Sequence, residues 1–248
     1  MTLKLPQIIG HRGACGYAPE NTLESIRAAA ELGVEWVELD VKLTKDDIPI
    51  IFHDEEVDRL TNGSGLVKDK TLAELKELDA GYHFGDSFFG VTIPTLEEAV
   101  DVLLEHNLGL NLEIKPCPGR EIDTAKIALD VLSQIWDDHD RLLISSFKAT
   151  CLETALEVAE DWNRGLLFEE ELDENWQDMA DALHVTTLHI NGNTVTKEQV
   201  ETLLDYEKPI LAYTINDPIS AHALPSARKA GVFCDIHDMF AGHLLPIR

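Results

Sequence analysis

The sequence predicts an α/β fold, a TIM (β/α)8 barrel with a small insertion after the second strand. Three observations lead there. Eight short apolar runs alternate with helical patterns, a length of 248 residues is usual for one such barrel, and polar residues gather where the strands end. No G-x-G-x-x-G follows the first strand, so a dinucleotide-binding sheet gains no support.

Residues 7–11 (Q-I-I-G-H) read as the first strand, and 12–19 as a glycine- and proline-containing loop. Residues 21–33 read as a helix with Asn21 or Thr22 as N-cap, Glu24 placed for a capping box and Gly33 as the stop. Residues 34–40 form the second strand. Residues 48–53 follow too soon for a parallel crossover, which needs about a dozen residues. They must return antiparallel, in a hairpin that reverses about Asp46 and sets Asp40 level with His53.

Residues 54–92 break the alternation, with a T-N-G-S-G turn at 61–65, a short helix at 72–78 and an aromatic, glycine-rich loop at 81–90. They read as a small insertion or lid on a single catalytic domain spanning 1–248. Phe84, Phe88 and Phe89 are expected to pack that insertion onto the barrel. Alternation resumes at Pro94. Helices are expected at 96–106, 121–136, 151–161, 174–183, 197–206 and 219–230, and strands at 108–115, 142–147, 165–168, 185–190, 210–215 and 232–236.

The formal charge of −26 argues against nucleic-acid binding and against docking on anionic membranes. Phosphate chemistry in such a chain needs a local positive centre, a metal or a few placed basic side chains. Cys15, Cys117, Cys151 and Cys234 are scattered, without a zinc-type spacing or a disulfide framework. With no signal-peptide pattern and no stretch of transmembrane length, the expectation is a soluble cytoplasmic protein.

Chemistry in such barrels sits where strands end. Glu38 and Asp40 are two apart and share one face of their strand. In L-G-L-N-L-E-I-K at 108–115, Asn111, Glu113 and Lys115 oppose the leucines. Both faces of a parallel barrel are covered, so inward polar groups must meet a metal, a substrate or each other. Glu38, Asp40 and Glu113 offer three hard oxygen donors suited to Mg2+ or Ca2+. The structural alternative, a cluster neutralised by Arg12 and Lys115, is a costly device for stability alone. His11 and His53 form a pair able to act as acid and base near neutral pH.

These residues sit in a run of motifs: His11-Arg12-Gly13, Pro19-Glu20-Asn21-Thr22, Glu38-Leu39-Asp40, His53-Asp54, Ile93-Pro94-Thr95-Leu96, Glu113-Ile114-Lys115-Pro116 and Ser146-Phe147. In that order they resemble the glycerophosphodiester phosphodiesterase family, in its bacterial cytoplasmic form, over nearly the whole chain. The resemblance implies metal-dependent hydrolysis of small-molecule glycerophosphodiesters, the deacylated phospholipid head groups, to glycerol 3-phosphate and an alcohol. It implies Glu38, Asp40 and Glu113 as metal ligands, His11 and His53 as the acid/base pair, and Arg12 and Lys115 as phosphate contacts. Glu20 is implied on the metal or the glycerol, and Tyr213 stands at a substrate-side position where many members carry tryptophan. The chain departs from the family pattern at Phe233-Cys234-Asp235-Ile236-His237-Asp238, which would put Asp235 inside the last strand, where an apolar residue is expected. His189, at the end of the sixth barrel strand, is a further pocket candidate. A non-catalytic barrel that binds a phosphorylated ligand is the competing reading, and it has no need of two histidines beside three carboxylates.

Overall fold

In chain order the strands are β1 (Ile8–Gly10), β2 (Trp36–Leu43), β3 (Pro49–Ile51), β4 (Gly109–Ile114), β5 (Leu142–Ser146), β6 (Asn163–Leu167), β7 (Thr187–Asn191), β8 (Ile210–Tyr213) and β9 (Ala230–Cys234). Around them run α1 (Leu23–Glu31), α2 (Leu72–Lys76), α3 (Leu96–Glu105), α4 (Glu121–Ile135), α5 (Ala149–Val158), α6 (Trp176–Ala182) and α7 (Lys197–Asp205). The computed structural model describes residues 3–217 and 230–236. Of the helix expected at 219–230 only Ala230 falls within them, and it opens β9; His237 and Asp238 also lie outside the described residues. Eight parallel strands close on themselves, because β1 pairs with both β9 and β2. The ninth, β3, runs antiparallel on β2 as expected.

The alternation within β2 and β4 builds the interior from floor to mouth. Val37, Leu39 and Val41 of β2 join Leu110, Leu112 and Ile114 of β4 in the cluster that α1, α3 and α4 cover. The intervening residues therefore point into the barrel. Trp36 fills the floor with Ile9, Leu143, Leu211 and Phe233. Gly109 lies against the indole, and a methyl group there would overlap the ring. Above that floor come Glu38 and Asn111, then Asp40 and Glu113, paired across the two strands in register. The apolar layer thus ends where the carboxylates begin.

Several boundaries differ from the sequence reading. β2 continues to Leu43, three residues past its expected end, because β3 lengthens it beyond the barrel rim. The hairpin register is also shifted by one, with Asp40 accepting from the Phe52 amide (2.9 Å) rather than standing level with His53. Its turn runs from Thr44 to Ile48, and Asp47 takes a left-handed conformation (φ 62°). At α1 the N-cap is Thr22, and Ser25, not Glu24, closes the capping box.

The insertion has a small core of its own, formed by Phe52, Val57, Val67, Leu75, Ala80 and Ile93. Its aromatics do not pack on the barrel as expected. Phe84 is 42% and Phe89 59% exposed, and Phe84 meets Phe88 edge-on at 5.1 Å. The loop folds back so closely that only a glycine at 81 clears the Phe88 carbonyl, and the rings turn outward.

Candidate active site

The first site loop begins one residue past β1. His11 donates its amide to the Cys234 carbonyl (2.9 Å), and Arg12 (φ 49°) and Gly13 (φ 84°) then turn in the left-handed region. At Gly13 a side chain would collide with Ser25, so this turn requires glycine. It aims the Arg12 amide at Glu38 Oε2 (3.0 Å). Asn21, also left-handed (φ 57°), grips Asp40: its amide donates to Oδ2 (2.8 Å) while its carbonyl accepts from the Asp40 amide (3.2 Å).

Glu38, Asp40 and Glu113 are buried, each offering an oxygen within 4.8 Å of the others. Burial, then Asp40 and Glu113, push the Glu38 carboxyl well above its ordinary value. Burial and Asp40 raise Glu113 to about 7. Burial acts on Asp40 too, but Arg12, His53, Lys115 and Asn21 outweigh it and hold the carboxyl at about 2. The protein's own cations therefore stabilise the charge of one member of the trio and leave the other two favouring the protonated form. Glu38 Oε1 is buried without a hydrogen-bond partner. Three hard oxygens short of positive charge, one of them orphaned, fit a divalent cation of the Mg2+ or Ca2+ kind.

Two positive side chains face this trio. Lys115, the first residue past β4, places Nζ 2.9 Å from Glu113 Oε1 and 3.9 Å from Asp40 Oδ1. Burial opposes its charge, but Glu113 and Asp40 raise its pKa. Arg12 Nε stands 3.5 Å from Asp40 Oδ2.

Each histidine has a carboxylate on Nδ1. His11 Nδ1 is 2.7 Å from Asp235 Oδ1, and His53 Nδ1 is 2.6 Å from Asp54 Oδ1. Nε2 is the ring nitrogen turned away from that carboxylate in both, and that of His11 lies 4.0 Å from Glu38 Oε2. Burial, then Arg12 and Lys115, lower the pKa of His53 against the opposing pull of Asp40. His11, His53, Arg12, Glu38, Glu113 and Lys115 all line one cavity of about 200 Å³. His53, Glu113, Lys115 and Phe147 also line an adjoining cavity of about 460 Å³, which reaches Lys42, Lys148 and Glu169.

The remaining candidates fall around this cavity. Tyr213 lines it, edge-on to Phe147 (5.8 Å), with its hydroxyl donated to the Phe168 carbonyl. Glu20 is apart from the carboxylate trio; Arg12 and Arg59 occupy its oxygens (2.5–2.9 Å). His189 lies mid-strand, not at a strand end, since β7 runs on to Asn191. It is fully buried, its Nε2 meets Thr187 Oγ1 (2.9 Å), and burial lowers its pKa to about 3. It is a neutral part of the cavity wall.

Three partners escaped the sequence reading. Asp235 stands just past β9 rather than inside it, and so reaches His11. The rule that strand ends carry chemistry would have found it had the strand been ended at Cys234. Arg59, from the insertion, bridges Asp54 (2.6 and 2.9 Å) and Glu20 (2.9 and 2.8 Å). Asn216 holds Asp235 from below, its amide 2.7 Å from Oδ2. Nothing local in the sequence marks the last two, because their partners are set by tertiary folding.

A barrel whose mouth gathers two histidines, fixed cations and a carboxylate trio has the groups that hydrolysis at a phosphate ester requires. Comparison with known proteins gives the family. The glycerophosphoryl diester phosphodiesterase family matches residues 11–239. A glycerophosphodiester phosphodiesterase of Caldanaerobacter subterraneus subsp. tengcongensis is 35% identical over 92% of this chain and 93% of its own. One from Bacillus subtilis is 31% identical over 94% of this chain and 84% of its own. Among solved structures, an Oleispira antarctica phosphodiesterase in complex with the product sn-glycerol-3-phosphate superposes with a TM-score of 0.90, at 40% identity and 96% coverage of both chains. The chain belongs to the glycerophosphoryl diester phosphodiesterase family and is an enzyme.

Proposed function

We propose that the protein hydrolyses small glycerophosphodiesters to glycerol 3-phosphate and an alcohol, with a divalent cation, Mg2+ or Ca2+, on Glu38, Asp40 and Glu113. His11 and His53 serve as its acid/base pair. The observation that carries this reading is the pair of histidines, each tied through Nδ1 to a carboxylate and both lining the cavity that holds Glu38 and Glu113. The Oleispira antarctica relative, bound to sn-glycerol-3-phosphate, supports the product assignment.

Arg12 and Lys115 would hold the phosphate oxygens, having charge that the buried carboxylates keep in place. A cation bound on the trio would offset charge developing on the phosphoryl oxygens. One histidine would take the proton of the nucleophile through Nε2 while the other protonates the departing alcohol. The nucleophile is either water or the neighbouring glycerol hydroxyl, and a cyclic phosphate among the products separates these routes. Glu20 would act by fixing Arg12. Tyr213 would bound the glycerol side of the cavity, and the larger cavity would take the head group. Segment 54–92 would be the lid of one catalytic domain. Thiols at Cys15, Cys117 and Cys151 outside any disulfide suit a reducing cytoplasm, and among the described residues no helix is long and apolar enough to cross a membrane.

A panel of glycerophosphodiesters with product identification, run with and without divalent ions, tests the reading. Chelation should abolish glycerol 3-phosphate release, and added ion should restore it. Full activity after demonstrated removal of the ion would refute the metal role. His11→Ala and His53→Ala should each cost at least roughly a hundredfold in turnover. Near-native rates in both would refute the histidine assignment.

A further inference from the structure

His11 has a second face, turned away from the carboxylate trio. Its Nδ1, Cys15 Sγ and Asp235 Oδ1 converge on the side of the ring away from Glu38. The distances are 2.7 Å from nitrogen to oxygen, 2.9 Å from sulfur to oxygen and 4.0 Å from sulfur to nitrogen. A circle through three atoms so spaced has a radius of about 2.0 Å, so a point slightly off their plane lies roughly 2.0–2.3 Å from all three, and tetrahedral ligation there requires the two hydrogen-bond gaps to open toward about 3.5 Å as the ion enters.

The three side chains come from segments strapped together. Gly16 donates its amide to the Asp235 carbonyl (3.0 Å), an approach so close that a Cβ on Gly16 would stand 2.7 Å from that oxygen. Asn216 holds Asp235 at both ends, donating to Oδ2 (2.7 Å) and accepting from its amide (2.9 Å). The side chains of His11 and Asp235 are 18% and 28% exposed, so water can supply a fourth ligand.

We propose that His11, Cys15 and Asp235 form an inhibitory site for a thiophilic divalent cation of the zinc type, distinct from the carboxylate trio and opposed to it across one imidazole. One thiolate, one imidazole and one carboxylate select a borderline-soft ion, whereas the all-oxygen trio selects a hard one. Binding replaces two hydrogen bonds. The thiol proton leaves to solvent, and the proton on Nδ1 of the neutral ring moves to Nε2, freeing the Nδ1 lone pair for the cation. His11 then presents N–H at its exchanging nitrogen and cannot accept a proton there. Burial and the Asp235 carboxylate keep the thiol protonated in the ion-free protein, which opposes a redox role for Cys15. A dication joining that carboxylate reverses the balance. The inhibitory part of the proposal rests on His11 being an acid/base residue.

The test uses the whole protein in excess Mg2+, titrated with Zn2+ for activity and, in parallel, with Co2+ for absorbance. Zn2+ should silence the wild type. Cys15→Ser, normalised to its own zinc-free rate, should need at least about tenfold more Zn2+, the minimum cost typical of disturbing a metal site. Co2+ should give a thiolate-to-metal charge-transfer band in the wild type and none in Cys15→Ser. Equal zinc sensitivity in both proteins, or a band that survives Cys15→Ser, would overturn the site. A band specific to Cys15 without loss of activity would overturn its inhibitory role. The band does not depend on turnover, so full activity in His11→Ala would defeat the acid/base reading separately.

Discussion

Replacing Asp235 by asparagine tests whether the Nδ1 partner sets the chemistry of His11. The Asp235 carboxylate meets three donors: His11 Nδ1 (2.7 Å), Cys15 Sγ (2.9 Å) and Asn216 Nδ2 (2.7 Å). Burial opposes its charge, but the hydrogen bonds and charge of His11, with those of Cys15 and Asn216, hold it well below the usual carboxylate range. Asn216 cannot turn over without cost, since its carbonyl already accepts from the Asp235 amide (2.9 Å). An asparagine at 235 would therefore set its carbonyl toward Asn216 and its NH2 toward His11. That geometry places the ring proton on Nε2, the wrong tautomer for a base. A charge-assisted hydrogen bond contributes about 1.5–3 kcal/mol, which corresponds to a roughly 10- to 150-fold loss in rate, and the inverted tautomer adds to it. Asp235→Ala loses the bond without forcing the tautomer, so it should be the milder change. The assay is kcat and KM for glycerol 3-phosphate release, with the pH profile of kcat/KM. The loss should fall on kcat. An Asp235→Asn enzyme within twofold of the wild type, or one no worse than Asp235→Ala, would refute this reasoning.

Three further outcomes are expected. Arg59→Ala should lower kcat about tenfold with little change in Tm, because the side chain is half exposed yet joins Asp54 to Glu20; a large Tm loss with intact kcat would contradict this. Asp54→Asn tests linkage: burial opposes the charge, but Arg59 and His53 hold the Asp54 carboxyl below its ordinary value. Its contribution is therefore present above the unfolded value of about 4 and fades as pH falls toward the folded one. The variant should melt about 2–4 °C lower at pH 7, and the gap should narrow below pH ~4; a constant gap would count against the assignment. Gly13→Ala puts a side chain into Ser25 at φ 84° and should cost about 1–3 kcal/mol, seen as a Tm drop of several degrees. An unchanged melting curve would show that the turn relaxes.

Much of the site was legible because β-structure has a period of two. Leucines alternating with Asn111, Glu113 and Lys115 announce polar groups on the inner face of a barrel, and register sets Glu113 beside Asp40. The hairpin was legible too, since the seven residues between 40 and 48 cannot cross over to a parallel strand. Its register was not. Asp47, not a glycine or asparagine, takes the left-handed turn position, so the sequence carries no marker of where the reversal falls. The one-residue slip leaves the site intact, because His53 lies beyond β3 and is aimed by Asp54 and Arg59 instead of the pleat. Asp54 was visible only as a neighbour of His53, and Arg59 only as a charge in a loop. Their roles depend on how the insertion folds over the mouth.

The charge distribution explains why the chain needs so elaborate a mouth. With 46 acidic against 20 basic residues, the surface repels an anionic phosphodiester at long range. Capture must then come from contacts made inside the cavity, where low polarity strengthens them. Arg12, Lys115, Lys42 and Lys148 supply positive charge there, but Arg12 and Lys115 are already shared with Asp40, Glu20 and Glu113. Lys42 is buried, which lowers its pKa, and its ammonium donates to the Lys115 carbonyl (2.8 Å). The fixed cations would thus position a phosphate without outweighing the carboxylates around it. Two of the three trio members remain raised in pKa under that balance. A dication on the trio would make the mouth attractive to a phosphodiester, which couples substrate binding to ion binding: chelation should abolish turnover and also raise the Kd for sn-glycerol-3-phosphate, read by calorimetry.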